Sequence, residues 1–211
     1  MKIFVSANEL QKIELISFNV GQNNELTFTT GVPKEEDYTS FDVFFILSDS
    51  WKELDFKSFG TKPVLINMVK ETLCEYNLPL NVHRINGWPG FIKNELWEIV
   101  SSQPESVKNI FKSLNRKITF VKDEPGFVSA RVISMIINEA FFALSENISS
   151  GEEIDAAMKS GTNYPHGPFE WAAKIGIENI YDLLEKLSEK DNRYCPASAL
   201  KKHYLEATGI L

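Results

Sequence analysis

The sequence predicts two successive folds, an α/β domain over residues 1–123 and an all-α domain over residues 124–211. Short apolar runs of strand length alternate with polar linkers in the first part, whereas longer segments with helical apolar spacing fill the second. Hydrophobic residues make up 43% of the chain and aromatic residues 12%. This composition is sufficient for packed cores and argues against disorder.

Seven runs in the first part are predicted strands, over residues 2–6, 14–20, 25–30, 42–48, 62–69, 81–87 and 118–123. The second and third runs flank the polar sequence GQNN and predict a β-hairpin. The fourth run, DVFFILS, is a continuous apolar stretch, as expected of a strand buried on both faces of a partly parallel sheet. A helix is predicted over residues 104–115, with Ser102 as its N-cap.

The turn after the first predicted strand lacks glycine. In nucleotide-binding sheets a glycine-rich turn at this place lets the backbone approach a pyrophosphate at the start of a helix. The chain instead opens KIFVSANELQKIELI, and the pattern G-x-G-x-x-G does not occur in residues 1–60. A dinucleotide would therefore need another route to its phosphates.

Helical patterns begin at about Pro125. The segment PGFVSARVISMIINEAFFALSEN predicts a long helix that is apolar almost all round. In the next helix, SSGEEIDAAMKSG, a capping box marks the start and Gly161 is placed to end it in a left-handed turn. Pro168 suits the first turn of a third helix, which Gly176 ends. Two more helices are predicted, in IENIYDLLEKLSEK and PASALKKHYLEATG.

Charge and cysteine usage limit the possible partners. The formal net charge is −7 and the sequence pI is about 5.1, which disfavours nucleic acid or an anionic membrane as the main partner. The two cysteines and three histidines are too few and too scattered for a disulfide scaffold or a metal site. No apolar run has the length of a membrane span or of a signal peptide core. We expect a cytoplasmic protein without a metal.

Three segments of the second part carry a family resemblance. In chain order they are DEPGFVSARVISMIINEA, EEIDAAMKSGTNYPHGPFEWAAKIGIENIYDLLEKL and RYCPASALKKHYLEA. Together they resemble the C-terminal domain of 3-hydroxyacyl-CoA dehydrogenases over about residues 118–207. In the first part, FDVFFILSD, KPVLINM and VHRINGWPGFIKNELWEIV are similar to pieces of the family's nucleotide-binding domain. The resemblance implies a shortened, degenerate Rossmann-like sheet followed by the family's helical domain.

The resemblance also implies site residues. In the family a His–Glu pair moves the hydroxyl proton while hydride passes to NAD. His83 matches the catalytic histidine, and Asn86 matches the asparagine three residues after it. The carboxylate is Glu98, which has matching neighbours in LWEI, or Glu95, which lies twelve residues after the histidine as in the family; Glu98 is the stronger match. Asn67, at the end of KPVLIN, is a further candidate for substrate binding.

Two positions depart from the family. Val69 stands where the family has a serine, and Ala130 stands where it has an asparagine, although Arg131 is kept. Each lost polar contact would weaken transition-state stabilisation by about 3 kcal/mol.

Two hypotheses follow. The first is a divergent 3-hydroxyacyl-CoA (3-hydroxybutyryl-CoA-like) dehydrogenase of fatty-acid metabolism that uses NAD, although the missing glycine motif counts against this cofactor. The alternative is a catalytically inactive relative that binds an acyl-CoA or a protein. Under both hypotheses we expect a homodimer through the C-terminal helices, because so apolar a central helix needs additional cover.

Overall fold

The computed structural model describes residues 1–17 and 20–210. They form two compact units, which divide between Phe127 and Val128, and each unit is described by itself below. The boundary between residues 123 and 124 stays a prediction.

The first unit is built on a seven-stranded sheet in the described part of the chain. Its strands are β1 (Lys2–Ser6), β2 (Glu25–Thr29), β3 (Val43–Ile46), β4 (Val64–Asn67), β5 (Val82–Ile85), β6 (Leu96–Val100) and β7 (Lys117–Phe120). The strand order is β2-β1-β3-β4-β5-β6-β7. Neighbours from β2 to β5 are parallel, β6 is antiparallel to β5, and β7 is parallel to β6. The mostly parallel arrangement matches the α/β prediction.

Short helices and turns connect these strands. The helices are α1 (Glu9–Ile16), α2 (Asp37–Ser40), α3 (Leu73–Tyr76) and α4 (Pro104–Ser113), with single 3₁₀ turns at Asp49–Glu53 and Phe56–Phe59. All four residues of β3, VFFI, are buried, as predicted for a strand covered on both faces. Alternate residues of each strand enter different cores: Val43 and Phe45 lie in one apolar cluster, and Phe44 and Ile46 lie in the other.

The predicted strand over residues 14–20, and the hairpin built on it, are wrong. Glu14 to Ile16 belong to helix α1, and β2 pairs in parallel with β1. Helix α1 buries Gln11, Glu14 and Leu15 while Ile13 and Ile16 are exposed, so its apolar residues do not mark its buried face. Residues 18 and 19 of the predicted strand lie outside the described residues.

Two details around β6 also differ from the predictions. The N-cap of α4 is Gln103 rather than Ser102. Strand β6 was not predicted as a separate strand, because Leu96 is apolar although it is exposed and Val100 directly follows Ile99, so apolar and polar residues do not alternate regularly in its sequence.

The second unit is helical. It contains α5 (Ser129–Ser145), α6 (Gly151–Thr162), α7 (Pro168–Ile175), α8 (Ile177–Ser188) and α9 (Ser198–Ala207), with a 3₁₀ turn at Asn192–Tyr194. Helix α5 packs against α7 and α9. Asn138 on its buried face donates to the carbonyl of Cys195 at 3.0 Å and accepts from the amide of Ala197 at 2.8 Å. This amide side chain fixes the start of α9.

The corner between α6 and α7 is partly as predicted. Pro168 begins α7, and Gly176 ends it with φ of 96°. The role given to Gly161 is wrong, because α6 continues to Thr162 and Asn163 takes the left-handed conformation. Asparagine tolerates this conformation better than most residues with a side chain.

The start of α7 is held by a carboxylate. The two oxygens of Asp155 accept from the amides of Phe169 at 2.8 Å and Glu170 at 3.1 Å. A Cβ atom on Gly167 would lie 2.3 Å from that carboxyl group, so only glycine fits beside it.

Among the helices of residues 1–17 and 20–210, none is long and apolar enough to cross a membrane.

Candidate functional site

The sheet reverses its strand order beside β1, with β2 on one side and β3 on the other. In open α/β sheets, ligands bind beyond the carboxyl ends of the strands at such a reversal. The crevice beyond the ends of β1, β3, β4 and β5 is therefore the first place to test. We refer to it as the switch-point crevice.

Side chains of the protein itself occupy this crevice. Gln11 of α1 is buried and donates from Nε2 to the carbonyls of Leu47 at 2.7 Å and Gly87 at 2.9 Å. Glu14, one turn later, accepts from the amide of Gly90 with both carboxylate oxygens at 2.8 Å. Helix α1 is thus tied to the ends of β3 and β5.

Asn67 completes the same network. Its Nδ2 donates to the carbonyl of Leu47 at 3.0 Å, and its Oδ1 accepts from the amide of Gly87 at 3.0 Å. A Cβ atom on Gly87 would lie 2.9 Å from Cβ of Asn67, so the close approach requires glycine. Both polar atoms of this asparagine bond to the protein backbone, and a role in substrate binding stays a prediction.

Asn86 lies at the same edge of the sheet. It is buried, and its Oδ1 accepts from the amide of Trp88 at 3.3 Å. The two predicted substrate-binding residues are therefore close in the fold, since Asn67 bonds the residue that follows Asn86. A role of Asn86 in substrate binding stays a prediction.

The residues at the switch-point crevice do not fit the pyrophosphate of a dinucleotide. The turn between β1 and α1 is formed by Ala7 and Asn8 without glycine. Asn8 and Gln11 cap the helix reciprocally: Asn8 Oδ1 accepts from the Gln11 amide, and Gln11 Oε1 accepts from the Asn8 amide, both at 2.9 Å. The two amides are among the N–H groups that would otherwise donate to phosphate oxygens at the start of a helix. Ser6 and Ser48 also bond to each other, with 2.6 Å between their hydroxyl oxygens.

His83 lies on β5 and is fully buried. Its Nδ1 lies 3.0 Å from Oγ of Ser101, and its Nε2 has no hydrogen-bond partner among the described residues. Burial lowers the pKa of His83 from its ordinary 6.5 to about 4, because desolvation disfavours the charged ring. The imidazole is therefore neutral at physiological pH.

The structure brings His83 together with Ser101 rather than with either candidate glutamate. Glu95 is exposed and pairs with Lys117 at 2.7 Å, and that hydrogen bond lowers the pKa of Glu95. Glu98 lies on β6, three residues before Ser101, and so projects from the opposite face of the sheet. A catalytic role for His83 with Glu98 or Glu95 stays a prediction.

The sequence pattern did not predict Ser101 as a site residue, because a serine between a strand and a helix usually caps the helix. Its Oγ accepts from the amide of Gln103 at 2.9 Å, and it lines a cavity of about 750 Å³. We refer to this space as the β6 cavity. The residues that line it are Leu73, Cys74, Asn77, Leu78, Val100, Ser101, Ser102, Pro104, Phe120, Val121 and Asp123.

Arg84, the neighbour of His83, was also missed. Its buried guanidinium forms an ion pair with Asp123 and donates from Nε to the carbonyl of Met68 at 2.9 Å. The group also lies 4.8 Å from the ring centroid of Phe127. Asp123 in turn accepts from the amide of Leu73 at 3.2 Å. This arginine stabilises one wall of the β6 cavity.

No group of three or more potential metal-binding side chains occurs in residues 1–17 and 20–210.

The chain is similar in sequence to 3-hydroxyacyl-CoA dehydrogenases. Residues 126–208 match the model of the 3-hydroxyacyl-CoA dehydrogenase C-terminal domain. The chain is 29% identical to 3-hydroxybutyryl-CoA dehydrogenase of Bradyrhizobium diazoefficiens, over 87% of this chain and 63% of that protein. It is 30% identical to the enzyme of the same name from Clostridioides difficile, over 76% of this chain and 59% of that protein. The chain thus spans about three fifths of the length of these relatives.

A solved structure supports the fold. The (S)-3-hydroxybutyryl-CoA dehydrogenase of Ralstonia eutropha aligns with a TM-score of 0.74 at 21% identity, over 99% of this chain and 93% of that one. At this identity the likeness concerns the fold alone. Together with the observed sheet and helices, it confirms the predicted fold class, a Rossmann-like α/β domain followed by a helical domain.

Proposed function

We propose that this chain, which belongs to the 3-hydroxyacyl-CoA dehydrogenase family, binds an acyl-CoA-type molecule as a homodimer. We also propose that it does not transfer hydride to NAD. The relatives named above are 3-hydroxybutyryl-CoA dehydrogenases, which supports an acyl-CoA-type ligand and a place in fatty-acid metabolism. The single observation that supports the loss of NAD chemistry is that side chains of the protein, Gln11 and Asn67, occupy the switch-point crevice.

A pyrophosphate in this crevice would have to displace Gln11 from two backbone carbonyls, those of Leu47 and Gly87. It would also have to break the reciprocal cap between Asn8 and Gln11. Each buried polar group left without a partner costs about 1–3 kcal/mol. The binding free energy of a dinucleotide would be reduced by the sum of these costs, which disfavours NAD at this position.

The surroundings of His83 support the same proposal. Oxidation of a hydroxyl group needs a base that accepts the hydroxyl proton, and a carboxylate at the other ring nitrogen stabilises the resulting imidazolium. Here the neutral hydroxyl of Ser101 occupies Nδ1, and the pKa of His83 is lowered to about 4. A base this weak would abstract the hydroxyl proton only slowly near neutral pH.

The exposed face of α5 supports the homodimer. Val128, Val132 and Phe142 are 59%, 50% and 38% exposed, and their spacing places them on one side of the helix. An apolar stripe on a long helix indicates an interaction surface. A second copy of α5 is the occupant that we propose.

The free, exposed cysteines support a reducing compartment. Cys74 and Cys195 are both unpaired in the structure. Exposed thiols persist where glutathione and thioredoxin keep them reduced. We place the protein in the cytoplasm on this basis.

One observation favours a second candidate, the divergent NAD-linked dehydrogenase. His83 and Asn86 both remain on and just after β5, where the family's catalytic histidine and its asparagine are expected. In this case His83 would act as the acid–base residue with Glu98, which would have to replace Ser101 at Nδ1. NAD would then need phosphate contacts outside the switch-point crevice.

Binding measurements separate the two candidates. We expect isothermal titration of the full chain with acetoacetyl-CoA to show saturable binding, and NADH fluorescence to show none up to millimolar concentration, with or without acetoacetyl-CoA. Light scattering on the same preparation should give the mass of a dimer. Saturable NADH binding, with turnover that disappears in His83→Ala, would establish the second candidate instead.

A further inference from the structure

We propose that Ser101 is a nucleophile with His83 as its general base, at a site in the β6 cavity for uncharged acyl esters or thioesters. This inference goes beyond the proposed function, since neither acyl-CoA binding nor the absence of hydride transfer requires it. It rests on the Ser–His contact, on the chemistry of the cavity wall and on the helix that begins beside the serine.

The contact allows the hydrogen-bond direction that a nucleophile needs. The amide of Gln103 donates to Oγ of Ser101 at 2.9 Å, which uses one acceptor position of the hydroxyl and leaves its proton available to donate. Nδ1 of His83, at 3.0 Å, is the acceptor in reach. The proposal assigns the ring proton of His83 to Nε2, the tautomer in which Nδ1 accepts from the serine hydroxyl. A hydroxyl that donates to a neutral imidazole is the usual arrangement of an activated serine.

Burial keeps the base in its neutral form. The pKa of His83 is lowered to about 4 by desolvation, so its lone pair is available throughout the physiological range. The same low basicity makes proton transfer slow. We therefore expect an acyl-enzyme that accumulates rather than fast turnover.

The β6 cavity has the size and lining of a site for a small uncharged group. Its volume of about 750 Å³ lies within the usual range for ligand pockets. The hydroxyl groups of Ser101 and Ser102 face apolar side chains that include Leu78 and Phe120. The described residues that line the cavity include no lysine or arginine, and the carboxylate of Asp123 is engaged by Arg84. This chemistry suits an acyl chain and its carbonyl better than a phosphate.

Helix α4 supplies positive potential next to the serine. The helix has ten residues, begins at Pro104 and has no side-chain cap at Gln103. Pro104 itself lines the cavity. The first-turn amides of a helix carry a partial positive charge, which would stabilise the negative oxygen that develops when a carbonyl is attacked.

The chemical steps balance with water as the only co-reactant. Oγ of Ser101 attacks the carbonyl carbon while its proton passes to Nδ1 of His83. The bond from carbon to the leaving oxygen or sulfur breaks, and that proton passes to the leaving group. Water then attacks the acyl-serine, and its proton passes through Nδ1 to Oγ. The products are a carboxylic acid and an alcohol or thiol.

Covalent labelling tests the site directly. The full chain is incubated with an uncharged alkyl fluorophosphonate and, separately, with p-nitrophenyl acetate, and the adduct is located by intact mass and peptide mapping. We expect one adduct, on Ser101. His83→Gln should slow labelling by about tenfold or more. Ser58→Ala, which removes an exposed serine hydroxyl away from the cavity lining, should label at the rate of the unchanged chain.

Mapping on the unchanged chain decides the question even if a variant fails to fold. No adduct on Ser101, or an adduct only elsewhere, overturns the proposal. Labelling that is equally slow in Ser58→Ala and His83→Gln also overturns it, because His83 would then have no specific role. Neither NADH nor CoA is present in this experiment, so its result is independent of the test of the proposed function.

Discussion

The switch-point crevice and the β6 cavity use their polar groups in opposite ways. In the crevice, Gln11 and Asn67 bond backbone carbonyls and amides on neighbouring strand ends. In the cavity, the hydroxyl of Ser101 bonds a histidine whose second nitrogen has no partner in the described part of the chain. The difference indicates that the place where the fold class usually holds a ligand has become part of the scaffold. The reactive chemistry that we propose lies in the cavity, where the fold uses the polar groups less completely.

The largest expected effect concerns Asp123, which lines the cavity but is fully engaged. In Asp123→Ala the buried guanidinium of Arg84 loses its partner, and the amides of Leu73 and Cys74 lose their acceptor. We expect the free energy of unfolding to fall by about 4 kcal/mol, in the middle of the range for a broken buried pair, because partial exposure of the carboxylate reduces the loss and the two unpaired amides add to it. Urea denaturation measures this change.

The exposed pair of Glu95 and Lys117 is the matched control for Asp123, and Glu95→Ala should leave stability unchanged. If both variants lost the same free energy of unfolding, an ion pair with a buried arginine would not explain the stability that Asp123 contributes.

The next effect is the pH dependence contributed by His83. Its pKa is lowered in the folded chain from 6.5 to about 4, so the unfolded chain binds the proton more readily. Stability should therefore be constant above pH 6.5, decrease as the pH falls towards 4 and level off below it, with a total loss of roughly 3 kcal/mol.

The measurement is the urea midpoint as a function of pH for the unchanged chain and for His83→Gln, which cannot titrate. Between pH 6.5 and 4 the two curves should diverge. Parallel curves would mean that the imidazole is hydrated in solution, and the proposed Ser–His arrangement would lose its support from burial.

The smallest effect concerns the crevice. Gln11→Ala removes the donor to the carbonyls of Leu47 and Gly87 and should lower stability by about 2 kcal/mol, since both acceptors stay buried. Ser102→Ala in the cavity should change stability by less than about 0.5 kcal/mol. The two unfolding free energies, measured side by side, compare the regions directly. A larger loss for Ser102→Ala would reverse the comparison.

The architecture could be predicted from the sequence because it depends on apolar periodicity. The run DVFFILS is apolar at every position from Val43 to Leu47 and is buried throughout, and Pro168 and Gly176 bound α7 as their backbone preferences require. Helix α1 could not be predicted in this way. It buries Gln11 and Glu14 beside Leu15 and exposes Ile13, because hydrogen bonds contribute to its inner face as well as apolar contacts.

The candidate site was harder to predict than the fold. His83 and Asn86 could be selected because they lie in a recognisable segment, whereas Ser101 has no local pattern that separates it from an ordinary cap. Its contact with His83 depends on the antiparallel register of β5 and β6, in which Arg84 pairs with Val100. Strand register is set by tertiary packing, so a single sequence does not reveal which side chains become neighbours.

The fit between Asp155 and Gly167 has a consequence for inheritance. The carboxyl group caps α7 only because residue 167 has no side chain, as a Cβ atom there would lie 2.3 Å from it. A lineage that replaces the glycine must first lose or shorten the aspartate, and one that loses the aspartate no longer needs the glycine. The two positions are twelve residues apart and should therefore change together over evolutionary time. This pairing should persist in related chains even where the residues of the site differ.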